Sequence, residues 1–534
     1  MHEELFLILG LLFIVMLLVM LAQKLRIAYP IFLVLAGLGI GFIPGIPVLK
    51  LDPEVIFLLF LPPLLYEAAW YTSWKDFKRW KGTIALLAFG LVFFTSLVVA
   101  YAATSIIPGF TLALGFLLGG IISPPDAVAA TTVLKGLKVP NRTITILEGE
   151  SLVNDASSLI VFRFALAAIL TGAFSMQVAV GQFFMVAGMG VVVGLAVAHV
   201  MYAIHRFLPT SAAIDATLTV MTPYILFLAA EHFHYSGVMA VVSGGLFMSF
   251  RAHEIFKTGS TRVNMVSVWH TLIFVMNTLV FILIGLDLPE IVHGLGSVSM
   301  LQAIEYGVLI SVIAIIIRLL WVYATAHVPR WFSKKLRSEQ SVGWKNPLII
   351  GWAGMRGVVS LATALSIPLY MNDGSAFPHR DLIIFITFVV IFITLVFQGL
   401  TLPFVIKLTR IQEIDPILPP HEQQSLIRLR LDTVALEHLN THYASASGNS
   451  LLRAYIEKLK HDMEGHQQFL SSSEACTNRA SETAEFQQIM SDIHDHQRKE
   501  LFNMRKEKTF TDEAIRKAEH LIDLNDLRIS DSVA

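Results

Sequence analysis

Residues 5–22 read LFLILGLLFIVMLLVMLA, a stretch without a single charge. A helix rises about 1.5 Å per residue, so about 20 residues of this kind cross the hydrocarbon of a bilayer. In hydrocarbon every backbone N–H and C=O must find its partner within the protein, and a helix does this inside one segment. Counting the first, thirteen such runs occur, at about 4–22, 29–43, 53–71, 83–105, 110–135, 144–171, 178–204, 213–231, 237–250, 265–287, 299–326, 346–370 and 382–409. The composition agrees: 55% of the 534 residues are hydrophobic and only 15% are charged. The mean hydropathy is +0.66. The expected fold class is therefore an all-α polytopic membrane protein. The first run opens on acidic residues and lacks a small-residue cleavage site, so it is expected to be a retained span.

The connecting charges test this count. Alternate loops carry 20 basic residues, among them Lys75, Lys78, Arg79 and Lys81, whereas the other loops carry only Lys50 and Arg380. Lys and Arg collect on the cytoplasmic side. The N-terminus is then outside and the C-terminal tail inside, as an odd number of spans requires. Residues 411–534 hold 21 of the 40 acidic and 14 of the 39 basic side chains. This charge shift divides the chain into a membrane domain, 1–410, and a helical cytoplasmic domain, 411–534. The lone cysteine, Cys476, lies in the tail and suits a reducing compartment. Eight of the 18 histidines lie there too. They read as solvated helix residues, not as a metal site or a pH sensor.

Two runs are interrupted. The fifth reads LALGFLLGGIISPPDAVAATTVL, and Pro124 and Pro125 remove two backbone donors just before Asp126. The twelfth reads LIIGWAGMRGVVSLATALSIPLY, with Gly351, Gly354 and Gly357 around Arg356. Broken backbone at this depth is tolerated only where protein or a cavity surrounds it. The fifth and twelfth runs are seven apart, and runs seven apart cross in opposite senses. Runs 1–6 and 8–13 therefore fit an inverted repeat, in which paired interrupted helices point to a transporter's binding site.

The sixth run begins with LEGESLVNDASSLI. Ser151 and Asp155 are four apart and share a helical face, and Glu150 and Asn154 share the adjacent one. Asp155 lies about 15–18 Å from the cytoplasmic entrance, near the bilayer midplane. A carboxylate beside an amide and a hydroxyl offers the oxygen ligands that a small hard cation takes. Ionisable groups at such depth face a partner or a pathway. Asp155 can hold a proton or a cation but not both at once, and that competition amounts to exchange. In the third run, FLPPLLYEAAW, Glu67 is a further acid near the cavity or near the cytoplasmic end of its span. Glu150 and Arg356 are expected to pair and clamp two helices. Arg318 is expected to snorkel to the cytoplasmic surface. Arg163 finds no role.

FLPPLLYEAAW, the Asp126 segment, EGESLVND, GMRGVVSLA and QGLTLP, in this order and spacing, resemble the sodium/proton antiporters of the first monovalent cation:proton antiporter family, which includes the bacterial NhaP-like exchangers. The resemblance implies a homodimer of thirteen-span protomers. It also implies a six-helix core whose broken helices cross at the ion site, and alternating access by an elevator-like shift of that core. It makes Asp155 the proton and cation carrier, with Asn154 and Ser151 beside it, Glu67 nearby, and Glu150 with Arg356 a structural pair. Asn154, where the electrogenic branch has a second aspartate, implies one proton per cation. Family members often read Thr-Asp-Pro where this chain has Pro125-Asp126-Ala127. Only the Pro125 carbonyl is then left to serve the cation.

The expected function is exchange of protons for Na⁺, and for Li⁺ or K⁺, across the bacterial inner membrane. This would serve pH and sodium homeostasis without a cofactor or a nucleic-acid partner. The competing readings are a K⁺/H⁺ antiporter and a proton or cation channel. A membrane enzyme is disfavoured, because no HExxH, GxSxG or phosphate-binding glycine loop is present.

Overall fold

A computed structural model describes residues 2–43, 53–134, 137, 139–172, 176–256, 258–295, 298–332, 343–411, 413, 418, 420–443, 449–471, 475–504 and 512–531. The loop residues Lys50, Lys135, Lys138, Lys257, Lys334, Lys335 and Arg337 of the charge argument lie outside them. The described residues fall into two compact units, Met1–Asp415 and Pro416–Ala534.

The first unit is helical almost throughout. In chain order it contains α1 (His2–Leu25), α2 (Tyr29–Gly41), α3 (Pro53–Tyr71), α4 (Trp74–Ala85), α5 (Val92–Ile106), α6 (Leu112–Ile122) and α7 (Ala127–Leu134). Then come α8 (Asn141–Thr171), α9 (Met176–Phe207), α10 (Ala212–His232), α11 (Gly237–Phe250), α12 (Ala252–Ile255), α13 (Gly259–Leu286) and α14 (Leu288–His293). The unit closes with α15 (Met300–Phe332), α16 (Lys345–Trp352), α17 (Val358–Leu365), α18 (Arg380–Phe392) and α19 (Gly399–Thr409). Among the described residues, nine helical stretches are long and apolar enough to span a membrane, with shorter apolar helices at Tyr29–Gly41 and Gly237–Phe250. This is a polytopic all-α membrane protein.

Two joints depart from plain α-helix. Leu86–Leu91 between α4 and α5, and Ile393–Gln398 between α18 and α19, are π-helical. Such turns leave the i→i−4 ladder locally and are frequent at functional sites. The basic segment after Thr72 is itself helical, because Ser73 caps α4 by accepting from the Asp76 N–H at 3.3 Å. The short α12 and α14 are not legible as spans.

Packing sorts the helices into two bundles. In one, α1–α3, α9–α11 and α13 pack mainly on one another; in the other, α4–α8 and α15–α19 do so. The bundles meet where α3, α11 and α13 touch α8 and α17. Backbones approach closely where α2 crosses α13: a Cβ on Gly37 would lie 2.5 Å from the Ile282 carbonyl oxygen. Small residues at crossings are the usual means of close helix contact in membranes.

The second unit contains α20 (Pro420–His442), α21 (Ser450–Ser471), α22 (Ala475–Met504) and α23 (Asp512–Asp531). In it α20 packs on α21, and α22 on α23. His494 and Arg498 of α22 both contact Asp526 of α23. His494 is thus a structural partner of a carboxylate. Among the described residues no group of three or more His, Cys, Asp and Glu is arranged to hold a metal ion.

Candidate functional site

The fifth run breaks between Ile122 and Ala127, and the twelfth between Trp352 and Val358. The two breaks touch through the main chain, where the Asp126 N–H donates to the Met355 carbonyl at 2.7 Å. Four helix ends therefore meet in the protein interior, each with backbone groups that have no intrahelical partner.

The sequence supplies those partners. Arg356 Nε donates to the Ile122 carbonyl at 2.9 Å, and its guanidinium also binds the Gly354 carbonyl. Arg318 donates to the Ile350 carbonyl at 3.2 Å. Two cations thus sit at the carbonyl ends of α6 and α16, where the helix dipole favours positive charge. At the other ends the sign reverses. The Asp126 carboxylate accepts from the Val128 N–H at 2.8 Å, at the start of α7. It also lies against Gly357, just before α17, where any Cβ would overlap it. An acid at helix N-termini and bases at C-termini explain how this chain breaks two helices at such depth.

The long α8 runs past the crossing. Asn154 donates from Nδ2 to the Pro125 carbonyl at 2.8 Å, and Ser151 Oγ accepts from the Ala127 N–H at 3.2 Å. A proline at position 127 has no N–H to give, so the Ala127 of this chain adds a tie that a Thr-Asp-Pro sequence lacks. Ser157 donates to the Ala88 carbonyl in the first π-helical joint at 2.5 Å. Thr394, in the second joint, accepts from the Arg356 N–H at 3.1 Å. Both irregular joints thus help hold the site.

Asp155 is 6% exposed, and among the described residues no basic group or hydrogen-bond donor reaches its carboxylate. Its electrostatic neighbour is Asp126. Asn154 Oδ1 is likewise buried without a donor. Buried acceptors are nearly always satisfied. Consecutive residues thus carry oxygens without a donor, and oxygens of this kind are what a small hard cation takes. Asn154 and Ser151 bond to the break itself, at Pro125 and Ala127, and Asp155 lies within electrostatic reach of Asp126.

Glu67 stands on α3, half-buried. Tyr29 stands between it and the site: the Tyr29 hydroxyl is within electrostatic reach of Thr132 on α7 and of both Asp126 and Glu67. Sequence reasoning passes over Tyr29, because a tyrosine opening an apolar run reads as an interfacial anchor.

Two expectations are corrected. Glu150 does not hydrogen-bond Arg356. It is 1% exposed and makes two bonds to Arg318, at 2.6 and 2.9 Å. Arg318 does not snorkel; its side chain is fully buried. Gly354 makes the room, since a Cβ there would overlap the Arg318 side chain. Arg356 is also 1% exposed and feels the Glu150 charge, but it spends its donors on carbonyl groups. Arg163, without a role in the sequence, binds both oxygens of Glu231 at 2.9 Å.

A family model for the transmembrane sodium/hydrogen exchanger matches residues 10–408. The sodium, potassium, lithium and rubidium/H⁺ antiporter of Bacillus subtilis (strain 168) is 33% identical over 445 residues, covering 81% of this chain and 65% of that protein. Its counterpart in Bacillus pumilus (strain SAFR-032) is 34% identical over 70% of this chain and 57% of that protein. The chain thus spans less than two thirds of the length of these two relatives. The Na⁺/H⁺ antiporter ApNhaP of Aphanothece halophytica is 33% identical over 72% of this chain and 70% of that protein. Among solved structures, the sodium proton antiporter MjNhaP1 of Methanocaldococcus jannaschii at pH 8 aligns with a TM-score of 0.59 at 21% identity, over 76% of this chain and 98% of that one. That last likeness is one of fold.

Proposed function

The chain belongs to the sodium/hydrogen exchanger family, and we propose that it exchanges protons for monovalent cations across the bacterial inner membrane, serving pH and sodium homeostasis. The observation that carries this reading is the Asp155 carboxylate: buried, without a countercharge among the described residues, and next to the donorless Asn154 Oδ1. Such a group is neutralised either by a proton or by a cation, because leaving the charge bare in low dielectric is costly. Loading one therefore displaces the other. Asn154, Ser151 and the Pro125 carbonyl complete the cation's shell, and Glu67 and Asp126 shape the approach. With one carrier acid flanked by an amide, the ratio is one proton per cation. No cofactor takes part.

The same reading gives the chain thirteen spans, an inverted repeat of runs 1–6 and 8–13, and an N-terminus outside. Residues 1–410 are the exchanger domain and 411–534 a cytoplasmic helical domain. The working form is a homodimer, in which the α4–α8 and α15–α19 bundle shifts against the other to alternate access. Na⁺ is the first candidate cargo. K⁺ is a serious second, because the Bacillus subtilis relative is named for potassium as well as sodium.

The test is cation-driven proton flux in sealed vesicles with Na⁺, Li⁺ and K⁺ in turn. The wild-type chain should exchange in a saturable manner. Asp155→Asn should lower the flux to background while its thermal unfolding stays close to that of the parent. Undiminished flux in that variant would remove Asp155 as the carrier, and a current without saturation would favour a channel.

A further inference from the structure

The carrier helix α8 is tied to the opposite bundle at a second place, far from the ion site. Arg163 lies eight residues beyond Asp155, about 12 Å further along the axis. It binds both carboxylate oxygens of Glu231, near the end of α10. Glu231 is itself fixed, because its Oε1 also accepts from the Gly237 N–H at the start of α11 at 3.2 Å. The pair therefore joins the bundle that carries Asp155 to a rigid corner of the other.

The location makes this more than a surface contact. Between the bundles lies a narrow crevice, with room of about 10 Å³ for water. Ala156, Leu159 and Ile160 of α8 line it, facing Val238 of α11, and Arg163 and Glu231 belong to its wall. Ala156 directly follows Asp155, and Leu159 is one helical turn from it on nearly the same face. The crevice thus runs along α8 from Ala156, the residue next to the carrier, to the ion pair. The Arg163 side chain is 48% exposed and that of Glu231 27%, so the pair sits at the mouth. On the far side of the carrier, Tyr29, Thr132, Asp126 and Glu67 are all partly accessible, so the site is reached there by another route.

We infer that Arg163 and Glu231 are the clasp on this second route: while they are joined the crevice stays too narrow to carry solvent to Asp155, and widening it requires them to part. The inference rests on the exchange reading above for its purpose, though not for its test. A partly exposed ion pair is weak, and that suits a contact made and broken in every cycle. Glu231 serves as a positioning residue here, since it holds Arg163 and touches neither proton nor cargo.

The test uses the full-length chain with Cys476→Ser, which removes its one cysteine, and Leu159→Cys as a reporter in the crevice. A membrane-impermeant maleimide is applied to sealed vesicles from the Arg163 side. Glu231→Gln should speed labelling several-fold, and the exchanged pair Arg163→Glu/Glu231→Arg should return it toward the parent rate. Equal labelling with and without Glu231→Gln overturns the clasp. This readout needs no transport, so it stands apart from any failure of the exchange reading. In flux assays, a short bis-maleimide across Arg163→Cys/Glu231→Cys should stop exchange that the untreated double variant performs. Undiminished flux in the cross-linked protein also overturns the proposal.

Discussion

Asp155 and its neighbours were legible as residues because their spacing alone places them on adjoining faces of one helix at mid-membrane depth. The partner of Glu150 was not. Arg318 and Arg356 are both cations in apolar helices, and choosing between them requires the rotation of α15 about its axis, which no local pattern reveals. Tyr29 stayed hidden for the opposite reason, since its type and place suit a membrane interface. The corrected pairing carries a prediction. Arg318→Ala leaves Glu150 buried and unpaired, which costs about 3–5 kcal/mol. Arg356→Ala leaves the Ile122 and Gly354 carbonyls without their donor, which costs about 1–3 kcal/mol each, while Glu150 keeps its partner. In detergent, Arg318→Ala and Glu150→Gln should each lower the thermal unfolding temperature, since each strands one buried charge, and the double variant should lose clearly less than the sum of the two. Additive losses would contradict the buried pair.

At the scale of elements, the prolines marked the break of the fifth run and the glycines that of the twelfth. What could not be read is how the exposed ends are satisfied. Arg356, which sits in one break, serves the carbonyl end of the helix before the other, and Asp126 does the reverse by resting against Gly357. These are contacts between segments more than two hundred residues apart, beyond the reach of periodicity. Gly357 is required by close approach and not by backbone angle, because its φ of −133° is open to any residue. Gly357→Ala should therefore push the Asp126 carboxylate from its place. The expected outcome is at least a tenfold loss of exchange with the helical content retained, read by vesicle flux and circular dichroism. Full activity in that variant would show that the carboxylate has room to move.

For the whole molecule, the apolar runs gave the class of fold and the charge bias gave a sidedness. Neither spoke to the division of the helices into two bundles, which depends on which faces meet. The sidedness is open to direct test. If the basic loops face the cytoplasm, a protease added to everted vesicles should trim residues beyond 411 and leave the rest intact. Right-side-out vesicles should protect them. Cleavage of the tail from the outside would invert the assignment.

The bond from the Asp126 N–H to the Met355 carbonyl belongs wholly to the main chain. No change of side chain at either residue deletes it, short of a proline at position 126. The seam between the two broken helices is thus indifferent to much of the drift that separates relatives, including the unusual residues on either side of Asp126. Side chains can be retuned around the two breaks while the stitch that joins them stays sewn.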